Sequence, residues 1–168
     1  GRFILGAGAG WMKEEFDIYG VDFKTRGKRF NECLEAIQLL WEDRLVEYHG
    51  EYVVFPPIRL APAPPEPVPL FVGGANKLAL RRAARYGDGW IGAGNTPEEV
   101  PGLLSALHSL RTEYGRDTRP FETLIGLYAE QTVYVLRPLE EAGITATLNL
   151  PFEYALGKGS SLDEKKRF

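Results

Sequence analysis

The stretch Val68-Pro69-Leu70-Phe71-Val72-Gly73-Gly74-Ala75-Asn76, continuing through Lys77 to Tyr86 and closing on Gly87-Asp88-Gly89-Trp90, decides how this chain folds. The apolar run between Pro69 and Gly73 has no polar alternation, which suits a strand covered on both faces as in a parallel sheet. Gly73 and Gly74 let the backbone turn sharply and approach a ligand closely, and Asn76 is a good N-cap for a helix carrying Leu78, Leu80, Ala83 and Ala84. Free backbone N–H groups and the positive end of the helix dipole meet at such a turn, making it a candidate site for a phosphate or another anion. The alternative is a tight turn from strand to helix whose glycines serve geometry alone.

Working outward, the chain alternates between strand and helix signals. Phe3-Ile4-Leu5 reads as a strand ending in Gly6-Ala7-Gly8-Ala9-Gly10. A dinucleotide fingerprint fails there. Counted from Gly6 its third glycine is Trp11, counted from Gly8 it is Lys13, and Arg26 stands about twenty residues on, where an acidic residue is needed. Phe30, Leu34, Ile37 and Trp41 recur at helical spacing between Thr25 and Trp41, with Cys33 beside them as a partly buried, inert thiol. Gly50 marks a turn into a short strand. Seven prolines from Pro56 to Pro69 then exclude both helix and central strand, so residues 56–69 form an extended excursion. Beyond the central element, Trp90 to Gly94 is another strand, and Thr96-Pro97-Glu98-Glu99 signals a helix start with Thr96 as N-cap and Glu99 as its return partner. Val100, Leu103, Leu104, Leu107 and Leu110 make the buried stripe of that helix, which Gly115 ends. Glu122 to Tyr134 contains a strand, Leu136 to Ala142 is a helix stopped by Gly143, Ala146 to Leu150 is a last strand, and Ser161 to Glu164 caps a terminal turn. The order βαβαβαβ predicts one α/β domain over residues 1–168, built on a parallel sheet with helices outside it.

Composition bounds the function. The chain has 168 residues, 44% hydrophobic, with net charge −3 and a pI near 5.5, and carries neither a long basic run nor an acidic tail, so no nucleic-acid partner is expected. Cys33 is the sole cysteine, which fits a reducing, cytoplasmic compartment. No apolar run approaches the ~20 residues that cross a bilayer, so no membrane partner is expected. No two histidines or carboxylates have ligand-like spacing, so no metal site is predicted. His49 lies on a loop ahead of that excursion without a partner carboxylate in the local sequence, and His108 lies off the helical stripe, so both read as surface residues.

Taken together, Gly1 to Trp11, Glu14-Glu15-Phe16, Arg26-Gly27 with Glu32, His49-Gly50-Glu51-Tyr52, Val72-Gly73-Gly74 and Ala83 to Trp90 resemble the luciferase-like monooxygenase superfamily, the flavin- or F420-dependent (β/α)8 barrels. That resemblance implies a partial TIM barrel. Phe3–Gly10 would be the fourth strand, Leu70–Gly73 the fifth, Trp90–Gly94 the sixth, Thr123–Ala129 the seventh and Ala146–Leu150 the eighth. A whole barrel takes ~250 residues, so the first three strands are expected to be missing. It further implies a cofactor, FMN or F420. Gly73, Gly74, Ala75 and Asn76 would hold its phosphate, and Gly8, Gly10, Trp11 and Glu14 would lie beside its ring. Ala93, Gly94, Asn95 and Thr96 would edge the side taken by a small-molecule substrate. The chemistry would be oxygenation of a substrate through reduced FMN and dioxygen, or hydride exchange with F420. The resemblance assigns no catalytic residue in this chain. Asp88 and Gly89 fall at the opposite strand ends and read as structural. The first alternative is a flavin-binding protein without catalysis, and the second an inactive fragment of such an enzyme. Unpaired edges at Phe3–Gly10 and Ala146–Leu150 predict a homo-oligomer unless a missing N-terminal segment covers them.

Overall fold

The computed structural model describes residues 2–148, 157 and 159–167; Leu150, where the last strand is expected to end, lies outside them. In chain order the elements are β1 (Leu5–Ala7), α1 (Lys13–Ile18), a 3-10 turn (Phe23–Thr25) leading into α2 (Arg26–Leu40), and a hairpin of β2 (Val46–His49) and β3 (Val54–Ile58). There follow β4 (Leu70–Gly73), α3 (Lys77–Tyr86), β5 (Gly89–Asn95), α4 (Val100–Glu113), β6 (Glu122–Leu127), α5 (Val133–Ala142), β7 (Ala146–Leu148) and α6 (Leu162–Arg167). Strands β1, β4, β5, β6 and β7 form one parallel sheet in that order, while among the described residues β2 and β3 pair only with each other. The architecture is therefore α/β, a parallel sheet with flanking helices equivalent to part of a (β/α)8 barrel.

One face of the sheet carries the core. Leu70, Val72, Trp90 and Ile125 are fully buried and meet Leu34 of α2, Leu80, Ala83 and Ala84 of α3, and Val100 and Leu107 of α4. Each of the buried Leu, Ile and Val side chains contributes ~1.5–3 kcal/mol by leaving water. The base of the sheet is tied by Asp88, whose carboxylate accepts the Leu70 N–H at 3.1 Å while its own N–H donates to the Leu70 carbonyl at 2.7 Å. Arg116 Nη2 donates to the Gly87 carbonyl at 2.8 Å and lies 3.5 Å from Asp88 Oδ1. A Cβ on Gly89 would stand 2.6 Å from the Phe71 ring, so Gly89 is required by packing. Asp88 and Gly89 are thus structural.

Several boundaries differ from the sequence reading. Strand β1 covers Leu5–Ala7, shifted toward the C-terminus, because the ladder begins where the Leu5 N–H finds the Pro69 carbonyl at 2.9 Å and Leu5 registers with Leu70. Helix α1 has no counterpart in the reading, since it buries no residue and shows no apolar stripe. Pro56 and Pro57 lie within β3, which a two-stranded ribbon tolerates because each strand is an edge. Helix α4 starts at Val100, not Pro97. Glu99 Oε2 accepts the Thr96 N–H at 2.9 Å, but the Thr96 side chain returns no cap, and residues 97–99 close a turn ahead of the helix. Helix α5 begins at Val133, three residues before Leu136, with Pro138 inside it and Gly143 at φ 113 ending it. His49 sits exposed on β2 with Glu47 Oε2 3.2 Å from its Nε2, so a carboxylate is close by after all.

Helix α2 holds the hairpin through two carboxylates. Glu32 accepts the N–H groups of Glu51, Tyr52 and Val53 at 3.0, 2.7 and 2.9 Å. Glu35 accepts the hydroxyls of Tyr48 at 2.7 Å and Tyr86 at 2.8 Å, and burial together with that carboxylate pushes the Tyr86 hydroxyl up to about 12. Partial burial works to raise the Glu32 carboxyl, but the three N–H donors and Arg29 outweigh it, and the net shift is downward. A carboxyl whose folded value lies below its unfolded one, about 4.3, stabilises fully above that pH and loses the contribution as pH falls through the folded value. We therefore expect Glu32→Gln to flatten the acid limb of stability below about pH 4.3, measured as urea midpoints at stepped pH. An unchanged acid limb would remove Glu32 as the tie.

Candidate functional site

The C-terminal ends of β1, β4 and β5 open onto a cavity of about 440 Å³. Its walls come from Gly8, Ala9, Gly10 and Trp11 after β1, from Lys24, Arg26, Gly27 and Phe30 at the start of α2, and from Gly73, Gly74, Asn76, Leu78, Ala79 and Arg82 around the β4–α3 turn. Ala93 of β5 completes it.

The turn is built as the sequence suggests, with one difference. Asn76 is extended at φ −76 and ψ 160, and its Oδ1 accepts the Ala79 N–H at 2.9 Å, so it caps α3. Gly74 stands at φ 116, and a Cβ there would lie 2.8 Å from Ala79 Cβ, so no other residue fits without strain. Its carbonyl accepts the Trp90 indole N–H at 2.7 Å, which anchors the turn to the core. The Gly74 N–H is not free, however. It donates to the Ile91 carbonyl at 3.0 Å, so an anion here meets the N–H groups at the first turn of α3. Gly74 and Asn76 are exposed, and a ligand can reach them.

Three cations face this turn. Arg82 Nε donates to Asn31 Oδ1 at 2.6 Å, and its other end lies so close to Gly27 that a Cβ there would be 2.5 Å from Nη2. Arg26 lies with its guanidinium carbon 3.7 Å from the Phe23 ring centroid and donates to the Phe23 carbonyl at 2.9 Å. Lys24, Arg26 and Arg82 make no ion pair among the described residues. Burial lowers Arg82 from its ordinary value, Tyr86 opposes this, and the nearby Arg26 charge adds to the lowering. A guanidinium stays protonated regardless, so the cavity holds uncompensated positive charge that an anion would relieve.

The expected site residues separate into groups. Gly8, Gly10, Trp11, Gly73, Gly74, Asn76 and Ala93 share the cavity. Ala75, Gly94 and Asn95 line a neighbouring groove of about 510 Å³ with Ala93, Glu99, Gly102 and Leu103. Asn95 is 4% exposed, with its Oδ1 turned toward Gly92 and the Trp90 ring, and that oxygen has no hydrogen-bond partner among the described residues. Glu14 is exposed on α1, and Glu14 and Thr96 border neither space. Sequence reasoning passed over Lys24, Arg26 and Arg82. The available signal for Arg82 was the run of basic residues Lys77, Arg81, Arg82 and Arg85 on the helix that follows the glycine turn.

The luciferase-like monooxygenase family model matches residues 1–142. An uncharacterized protein of Mycobacterium tuberculosis is 40% identical over 144 residues, 86% of this chain and 49% of the relative. The F420-dependent glucose-6-phosphate dehydrogenase of Segniliparus rotundus is 32% identical over 131 residues, 74% of this chain and 39% of that enzyme. Among solved structures, an F420-dependent secondary alcohol dehydrogenase in complex with an F420-acetone adduct superposes with a TM-score of 0.68 at 24% identity, over 75% of this chain and 39% of that one. The coenzyme F420-dependent tetrahydromethanopterin reductase of Methanopyrus kandleri gives 0.60 at 21% identity, over 74% and 40%. The chain spans about half the length of the curated relatives it matches. No helix among the described residues is long and apolar enough to cross a membrane. With a family match across most of its length and the parallel sheet of its structural neighbours, this chain belongs to the luciferase-like monooxygenase family.

Proposed function

We propose that the cavity is the cofactor-phosphate site of an oxidoreductase and that F420 is favoured over FMN as its ligand. The observation that carries this reading is the meeting of the Gly73–Asn76 turn with Lys24, Arg26 and Arg82, three cations without a carboxylate among the described residues. A phosphate dianion leaves part of that charge unmatched, whereas F420 adds carboxylates beyond its phosphate. The F420 dependence named for several relatives and neighbours points the same way.

In this reading the N–H groups at the start of α3 and the three side chains bind and orient the anionic end, and the Gly8–Trp11 loop shields the ring from water. Ala93 and Gly94, which line the groove beside the cavity, border the side from which a small-molecule substrate approaches. The bound cofactor would supply hydride exchange, and the protein its position. A second reading, cofactor binding without turnover, is favoured by the cavity wall itself, which among the described residues contains no histidine, aspartate or glutamate.

Titration of the chain with F420 and with FMN, followed by cofactor fluorescence, tests the assignment. F420 should bind more tightly, and its affinity should fall more steeply with salt because more charges are matched. Absence of saturable binding by either cofactor would end the proposal, and tighter binding of FMN would reverse its choice of ligand. Hydride exchange with added alcohols or sugar phosphates separates the catalytic reading from simple binding.

A further inference from the structure

At the end of the sheet opposite to the cofactor cavity, residues that precede β4, β5 and β6 enclose a second hollow of about 410 Å³. The two spaces share no residue, and β4, four residues long, sets roughly 13 Å of strand between them. One wall of the hollow is apolar. Trp41, at the C-terminal end of α2, lines it together with Pro64, Pro65, Pro67 and Val68 of the strap that leads into β4. Proline has no N–H, so this wall offers few backbone donors to a polar ligand. Gln38 Nε2 donates to the Tyr86 carbonyl at 3.0 Å and fixes that end of α2 beside the end of α3.

The other wall is cationic. The Arg116 side chain is 18% exposed, and its Nη2 donates to the Gly87 carbonyl at 2.8 Å and stands 3.5 Å from Asp88 Oδ1, so this guanidinium is ordered before any ligand arrives. Arg119 is exposed and makes no ion pair among the described residues. Burial lowers Arg116 from its ordinary value and the Arg119 charge adds to the lowering, against the opposing effect of Asp88, so the two guanidinium groups repel each other. The acidic groups at this hollow are already engaged. Asp88 accepts the Leu70 N–H at 3.1 Å, Glu42 pairs with Arg44, and Glu66 has a contact of its own.

We propose that this hollow is a second ligand site, separate from the cofactor cavity, and that it takes a small aromatic carboxylate. The carboxylate bridges Arg116 and Arg119, where planar guanidinium forks match it, and the ring lies against Trp41 and the prolines. A hollow of this size suits a small molecule, and its lining has the usual make-up of such sites, an apolar wall with a few placed polar groups.

The probes are cinnamate and its uncharged analogue cinnamamide, titrated into the chain and followed by calorimetry and by the indole N–H resonances. Cinnamate should bind saturably and shift the Trp41 resonance while that of the buried Trp90 stays in place, and the amide should bind at least about tenfold more weakly. Arg119→Gln should weaken cinnamate by a similar factor without moving the urea midpoint, because the side chain is exposed, and Arg137→Gln on α5, outside the hollow, should change nothing. If Arg119→Gln does not fold, the Trp41 shift and the comparison with the amide decide on the unaltered chain. Displacement of cinnamate by F420 would overturn the proposal by moving the acid to the cavity of Lys24, Arg26 and Arg82. Equal binding of the amide, an unshifted Trp41 resonance or no saturation at millimolar concentration would each overturn it as well. A chain that binds cinnamate but no F420 keeps this site and loses the cofactor assignment, so the two readings fail separately.

Discussion

Replacing Trp90 with alanine is expected to lower the free energy of unfolding by about 3–5 kcal/mol, the range for emptying a large aromatic site. Trp90 is 0% exposed and is the largest of the fully buried side chains, standing on β5 among Leu80, Val100 and Ile125. For a domain of this size that corresponds to a fall in Tm of roughly 6–20 °C. Trp90→Phe separates two roles of the indole. It keeps much of the ring but removes the N–H that the Gly74 carbonyl accepts at 2.7 Å. Losing one such bond costs about 1 kcal/mol of stability, yet it frees the turn that the cavity depends on. Phenylalanine should therefore weaken F420 binding by more than its small effect on urea unfolding suggests. A Trp90→Ala protein as stable as the parent would mean that the sheet does not bury this side chain.

Much of this arrangement was legible in the sequence because it is encoded locally. Unbroken apolar runs at Leu70–Val72 and the 3.6-residue stripes from Phe30 and from Val100 specify their strand and helices whatever surrounds them, and Asn76 caps α3 as read. Elements set by distant partners were not legible. Helix α1 is held by Phe16, which meets the Phe23 ring edge-on at 5.3 Å and packs beneath Gly10, contacts that leave no periodic mark. The hairpin turn is held by Glu32, which contacts residues about twenty positions ahead in sequence. The cation cluster is the clearest case. Lys24 and Arg26 lie at the start of α2 and Arg82 lies on α3, some fifty residues on in sequence, and only the packing of α2 against α3 puts them in one cavity with Gly73 and Gly74. Asn95 shows the reverse. Its position next to Gly94 suggests the substrate side, but the register shift between Ala93 and Asn95 turns it toward Gly92 and Trp90.

The two glycines of the turn give the largest expected effect on binding, and they should behave differently. Gly74→Ala forces an L side chain to φ 116 and sets its Cβ 2.8 Å from Ala79 Cβ. Strain of this kind costs of order 1–3 kcal/mol, and relief requires the first turn of α3 to move away from β4. That movement displaces the N–H groups and Arg82 together, so F420 affinity should drop by at least about tenfold, or 1.4 kcal/mol, with lowered stability alongside. Gly73→Ala is sterically milder. Its Cβ would meet the Ala7 carbonyl oxygen at 3.6 Å and the Ile91 carbonyl oxygen at 3.9 Å, both ordinary contacts. Unfolding should be nearly unchanged, while the added methyl, on a residue that lines the cavity, should weaken binding by itself. Urea unfolding and F420 titration on the same two proteins distinguish these effects. Loss of stability without loss of affinity in Gly74→Ala, together with unaltered binding in Gly73→Ala, would show that the turn serves the fold and that the anion site lies elsewhere.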